Sequence, residues 1–172
     1  LYLLSFNMKK RTDNSRKNIY LLGSSSMFND ISSEMITPIL PFYITALGGT
    51  GLAVGALSGL REGLASLFKI FGGWISDRTG KRKPLVFVGY IVSLISRFFL
   101  LLANSWQLVL GLVSFERIGK LRDAPRDAMI ASYGNQRGRN FGIHQMMDTL
   151  GGVIGITVIL LLFWKFNMNF KL

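Results

Sequence analysis

Cysteine is absent from the 172 residues, so no disulfide, thiolate chemistry or zinc-finger spacing can organise the fold. Histidine occurs once, as His144, which excludes a multi-histidine metal site. Acids are scarce, nine against 20 Lys and Arg, and only 17% of residues carry charge. No nucleophile–base pairing or metal spacing accompanies Glu116 or the Asp123/Asp127 pair. Gly119-Lys120 lacks the upstream glycine and the downstream Ser or Thr of a phosphate-binding loop. These absences argue against catalysis and against a cofactor.

What the sequence has is long apolar runs. Hydrophobic residues make up 49% of the chain, which points to a membrane protein rather than a soluble domain. Gly51 to Ser76 is mostly apolar, and Leu85 to Ala103 carries a single charge. Each run can cross a hydrocarbon core of about 30 Å at about 1.5 Å per residue. Between them lies a short hairpin with four cations, Arg78, Lys81, Arg82 and Lys83, against one acid, Asp77. Short loops rich in Lys and Arg stay on the cytoplasmic side, so the hairpin is expected there.

The net charge of +11 would suit nucleic acid, but the cations gather in segments that topology assigns to one membrane face. Five lie before the first span, four in the hairpin and six from Arg117 to Arg139, against none in the turns at Gly48–Gly51 and Asn104-Ser105. The amino terminus is therefore expected in the cytoplasm, with anionic lipid headgroups as the partner of the cations and no nucleic acid.

The hairpin pattern G-x-x-x-D-R-x-G-K-R-K-P resembles the loop signature between helices 2 and 3 of the major facilitator superfamily. Gly73, Asp77, Arg78, Gly80, Lys81 and Arg82 fall on its typed positions. The segment Glu116 to Ala128 is similar to that family's helix 4 region, with Arg117 as its basic residue and Leu121 where a glycine is expected. Asn29 to Pro41 resembles the first helix of a bacterial and archaeal branch. Gly142, Gly151 and Gly155 match the opening spacing of the helix 5 signature of antiporter members, and the match then stops. The resemblance implies a secondary transporter in which two six-helix halves rock about a midplane site. It makes Asp77 a latch acid, Arg78, Lys81 and Arg82 its cationic surroundings, and Arg117 the helix 4 base.

Five spans are expected, an all-α integral inner-membrane protein equivalent to part of the amino-terminal six-helix bundle. Residues 1–18 read as a basic cytoplasmic tail, with residues 1–7 ahead of the natural start at Met8. Residues 19–164 read as the five-helix membrane region, and 165–172 as a short tail foreign to the family. The first span runs from Ile19 to about Leu47 and should bend at Pro38 and Pro41. The fourth, Trp106 to Phe115, is short and should continue through Glu116 and Arg117. The fifth runs from about Phe141 to Trp164.

Within the spans, Asp30, Glu34, Arg61, Glu62, Arg97 and Asp148 are candidates for proton coupling or solute binding, because ionisable groups at membrane depth cost several kcal/mol unless paired or functional, about 2.5–3.5 on insertion scales. The bland alternative is structural pairing, for example Arg97 with Asp30 or Glu62. His144 could join a proton path or simply pack. Gly51, Gly55, Gly59 and Gly63 form a stripe of small residues expected to pack against another helix. The implied activity is transport of a small solute with a second transporter half as partner. The alternative is a membrane fragment or interaction protein that does not transport.

Overall fold

Glycine and proline punctuate the chain, and the backbone follows them. The computed structural model describes residues 2–133 and 136–166, and among them every regular element is helical. Helix α1 is Tyr2–Ile36, α2 Leu40–Ala46, α3 Gly51–Thr79, α4 Arg82–Leu100 and α5 Trp106–Ile118. A 3-10 turn, Gly119–Arg122, leads into α6, Asp123–Ser132, and α7 is Arg137–Phe166. The backbone of the basic tail thus runs on as helix into the first span. Phe163 to Lys165 belong to α7, and residues 167–172 of the expected foreign tail lie outside the described residues.

Pro38 does more than bend the first span. It has no N–H and its ring clashes with the preceding turn, so the helix stops at Ile36 and restarts at Leu40, with Pro41 in the first turn of α2 where a missing donor costs nothing. Gly80, at φ +65°, ends α3, and its N–H bonds to the Ser76 carbonyl at 2.9 Å. Gly48, at φ +81°, turns the chain after α2. Ser105 caps α5 by accepting the Leu108 N–H at 3.4 Å.

The chain divides into two compact units, one joining residues up to Met35 to Asp127–Phe166, the other spanning Ile36–Arg126. In the second unit α4 and α5 form an antiparallel pair across the turn at 101–105, with α3 and the short α2 packed on it. Its apolar core sits at the α2 end, where Leu40, Ile44, Ala53, Leu57, Val109 and Val113 meet, all at most 6% exposed. The Tyr43 hydroxyl closes that end by donating to the Ala103 carbonyl. In the first unit α1 and α7 pack backbone to backbone through glycines.

Among the described residues two helices are long and apolar enough to cross a bilayer, Arg82–Leu100 at a mean hydropathy of 1.6 and Arg137–Lys165 at 2.1. The other expected spans fall short for separate reasons. Charged residues interrupt α3 at Arg61, Glu62 and Lys69. Pro38 divides the first span, and α5 has 13 residues, about 20 Å by helix rise. Large apolar side chains nonetheless stand exposed along α3, α4 and α7, among them Leu52, Ile70, Phe87, Leu94, Leu160 and Trp164. A surface this apolar suits a hydrocarbon surrounding or a protein partner.

Candidate functional site

The turn between α4 and α5 is short, so the two helices stay in register and each polar group on one finds the other. Ser96 donates to the Leu112 carbonyl at 2.6 Å. One residue on, the Arg97 guanidinium reaches Glu116 Oε1 through Nη2 at 2.9 Å and Nε at 3.2 Å. Arg117 Nη2 donates to the other carboxylate oxygen of Glu116. All three side chains are buried, at 9%, 8% and 6% exposure. Two guanidiniums share one carboxylate inside the bundle, so losing Glu116 would take from both the buried charge that they share.

Below this cluster the chain tightens into the 3-10 turn. A Cβ on Gly119 would stand 2.7 Å from the Gly89 carbonyl oxygen, and one on Gly89 2.7 Å from that of Gly119, so the two backbones touch. Arg122 lies across the contact and donates to Ser93 Oγ at 2.8 Å and the Gly119 carbonyl at 2.9 Å, with its guanidinium 4.6 Å from the Tyr90 ring centroid. Asp123 carries the charge balance, with Lys120 Nζ at 3.6 Å and Arg122 Nε and Arg126 Nη1 both at 3.9 Å. Gly72 of α3 abuts the Leu121 backbone. That explains how leucine replaces the expected glycine at 121: the missing Cβ is on α3, and Leu121 needs to offer only its main chain.

The signature hairpin lies at the end of α3. Gly73 would meet Ala124 Cβ at 3.4 Å, ordinary contact, while Asp77, Arg78, Gly80 and Lys81 are exposed and Arg82 is half-buried. Arg78 stands 5.4 Å from the Trp74 ring centroid. Asp77 and Arg117 are not brought together. Asp77 makes no ion pair among the described residues, and Arg117 is engaged by Glu116.

In the α1–α7 unit, Asp30 accepts from Asn29 Nδ2 at 3.1 Å and Glu34 lies along α7, its Cβ 3.2 Å from where a Gly155 side chain would begin. Asp148 Oδ2 is 3.3 Å from His144 Nδ1. In the other unit Arg61 donates to Thr37 Oγ1 at 2.9 Å and Glu62 is exposed. Arg97 pairs with Glu116, which the tight α4–α5 turn puts directly opposite it. One expectation is overturned. The stripe Gly51, Gly55, Gly59 and Gly63 faces open space, and the close glycine contacts fall instead at Gly72, Gly89, Gly119, Gly151 and Gly155.

Sequence reasoning gave Arg122 no role and weighed Asp123 only as a candidate catalytic acid. Their signal was the shortness of the apolar run before them, which requires the charges that follow it to be drawn inside. Beyond the spans, burial pushes the Tyr133 phenol above its ordinary value.

The sequence model of the Major Facilitator Superfamily matches residues 22–168. The chain belongs to this family. Its members are membrane transporters, not enzymes. An uncharacterised MFS-type transporter of Methanocaldococcus jannaschii is 42% identical over 170 residues, covering 95% of this chain and 43% of the relative. Multidrug resistance protein MdtH of Photorhabdus laumondii is 34% identical over 143 residues, covering 81% of this chain and 35% of that protein. An uncharacterised protein of Mycobacterium tuberculosis is 28% identical over 140 residues, covering 80% and 34%. The chain thus spans between a third and just over two fifths of the length of these relatives. No solved structure matches it.

Proposed function

We propose that this superfamily chain forms the first five membrane-spanning helices of a secondary transporter, multi-pass in the inner membrane with a cytoplasmic amino terminus. With a second six-helix half it moves a small solute by alternating access, driven by protons. The family match over residues 22–168 carries this reading. Asp77 with Arg78, Gly80, Lys81 and Arg82 acts as the latch, and Arg117 anchors helix 4.

The solute is cationic. Asp30 and Glu34 put two acids on the first span, whereas Arg97, a buried cation that could hold an anion, is engaged by Glu116. The multidrug name of one relative fits the same class.

Reporter fusions at Gly49, Lys81, Asn104 and Gly138 should alternate outside, inside, outside, inside. Vesicles carrying the chain together with a second transporter half should move an ethidium-like cation when a pH gradient is imposed. An insertion-competent protein that does not transport gives the same topology with no gradient-dependent flux.

A further inference from the structure

α1 and α7 run side by side in the same sense. A Cβ added to Gly23 would strike the Met147 side chain, one on Gly151 would stand 2.6 Å from the Met27 carbonyl oxygen, and one on Gly155 2.6 Å from that of Ile31. The pairing advances four residues at a time on both helices, so each turn of one meets the corresponding turn of the other. Such backbone contact leaves no room for solute between them.

Ionisable side chains are spaced along this seam. His144, 3% exposed, occupies the α7 face that carries Gly151 and Gly155. Its Nδ1 is 3.3 Å from Asp148 Oδ2, and its Nε2 is buried with no hydrogen-bond partner. Farther along, Glu34 lies with its Cγ 3.8 Å from the Cβ position of Gly152. From His144 to Gly152 is about 12 Å by helix rise. Asp30, one turn before Glu34, is on the same face of α1. A histidine serving only to pack would have both ring nitrogens satisfied, because a buried unpartnered nitrogen costs about 1–3 kcal/mol.

We propose that His144 and Asp148 are the entry of a proton path along the α1–α7 seam, delivering protons to Glu34. The path rests on the proton-driven reading above. A proton from water adds to Nε2, the Nδ1–H bond breaks as Asp148 Oδ2 takes that proton, and a neutral imidazole of the other tautomer remains. Asp148 then passes the proton through water to the Glu34 carboxylate, and the ring rotates back. One proton enters, one is delivered and no electron moves. The charged and titratable groups of this unit include Arg16 and Lys17, exposed on α1, with Asp30 and Glu34 farther along that helix. Arg137 and Arg139 are exposed in the first turn of α7, Asp127 lies in the middle of α6 and Tyr133 just after it, and Asp148 itself has a further interaction besides His144.

The single histidine lets one label report one site. With ¹⁵N-histidine in the full chain in lipid nanodiscs, the neutral ring should carry its proton on Nδ1, facing the Asp148 carboxylate. Asp148→Ala should lower the ratio of Nδ1–H to Nε2–H rings by about tenfold or more, since the acceptor of that proton is gone. Asp148→Glu keeps the carboxylate and should restore the ratio, which guards against a misfolded Ala variant. A ratio equal in the Ala and wild-type chains overturns the pair. In a pH jump followed by infrared spectroscopy, the protonated-carboxyl band abolished by Glu34→Gln should appear about a hundredfold more slowly in His144→Phe. An unchanged rate overturns the path. Neither readout requires transport, so a chain with no flux but these spectra would sink the transporter reading and leave the proton path standing.

Discussion

Arg97 of α4 and Glu116 of α5, 19 residues apart, meet at 2.9 Å with both side chains about nine-tenths buried. Glu116 holds two buried guanidiniums, so its loss and the loss of either arginine are not equivalent. Glu116→Gln takes the shared carboxylate from Arg97 and Arg117 at once and should cost about 3–5 kcal/mol of stability. Arg97→Met leaves one guanidinium on one carboxylate and should cost less. Thermal unfolding in detergent of both variants checks the order, and a milder Glu116→Gln would contradict it.

Gly72 and Gly59 lie on the same helix and should respond oppositely to alanine. A methyl at 72 runs into the Leu121 main chain, which cannot yield as a side chain would, so Gly72→Ala should lose about 1–3 kcal/mol. A methyl at 59 meets nothing within 4 Å, and removing a helical glycine there should gain about 0.5–1 kcal/mol. Unfolding midpoints of the two variants decide the point.

Arg122 is held by geometry as much as by charge. Lys keeps the charge, but it cannot hold Ser93 Oγ and the Gly119 carbonyl while stacking on Tyr90. Arg122→Lys should destabilise by about 1–3 kcal/mol, measurable in the same melts. Tyr90→Phe, which retains the ring, should be nearly silent.

Tyr133 gives an alkaline signature. Its folded value is raised by burial, so above the ordinary phenol value of 10.0 the unfolded chain ionises first and binds fewer protons than the native one. Stability contributed by the neutral phenol is therefore complete below pH 10 and declines as pH rises past it. Melting Tyr133→Phe beside the wild type from pH 9 to 11 should show a flatter profile in the variant.

Asp77 is exposed and makes no ion pair among the described residues, so Asp77→Asn should change stability by no more than about 0.5 kcal/mol. In vesicles with the second half present it should abolish transport. Full flux with Asn at 77 would remove the latch role.

The helices were legible because their boundaries are written in chemistry that acts locally. Gly80 ends α3 through its own left-handed backbone, Ser105 caps α5, and the apolar run of α4 needs no partner to be recognised. The continuation of α5 through Glu116 and Arg117 followed from the shortness of Trp106 to Phe115. Partners were harder to read. The sequence offers Arg97 several acids, and only the three-dimensional register of α4 against α5 puts Glu116 opposite it. Glycine spacing on α3 misled for the same reason: the regular stripe there faces nothing, while Gly72, Gly89 and Gly119, which show no regular spacing, touch neighbouring main chain, as do Gly151 and Gly155 four residues apart on α7. Proline strength was underestimated at Pro38, where a bend became an interruption because Pro41 supplies a ready start for the next helix.

The α4–α5 pairing also bears on how the chain enters the bilayer. An arginine alone at membrane depth costs about 2.5–3.5 kcal/mol on translocon scales, enough to stall a lone segment. Only five residues separate Leu100 from Trp106, so the counter-ion of Arg97 lies on the very next helix. Glu116 is thereby suited to neutralise Arg97 as α4 and α5 pair, before the rest of the chain has to fold around them.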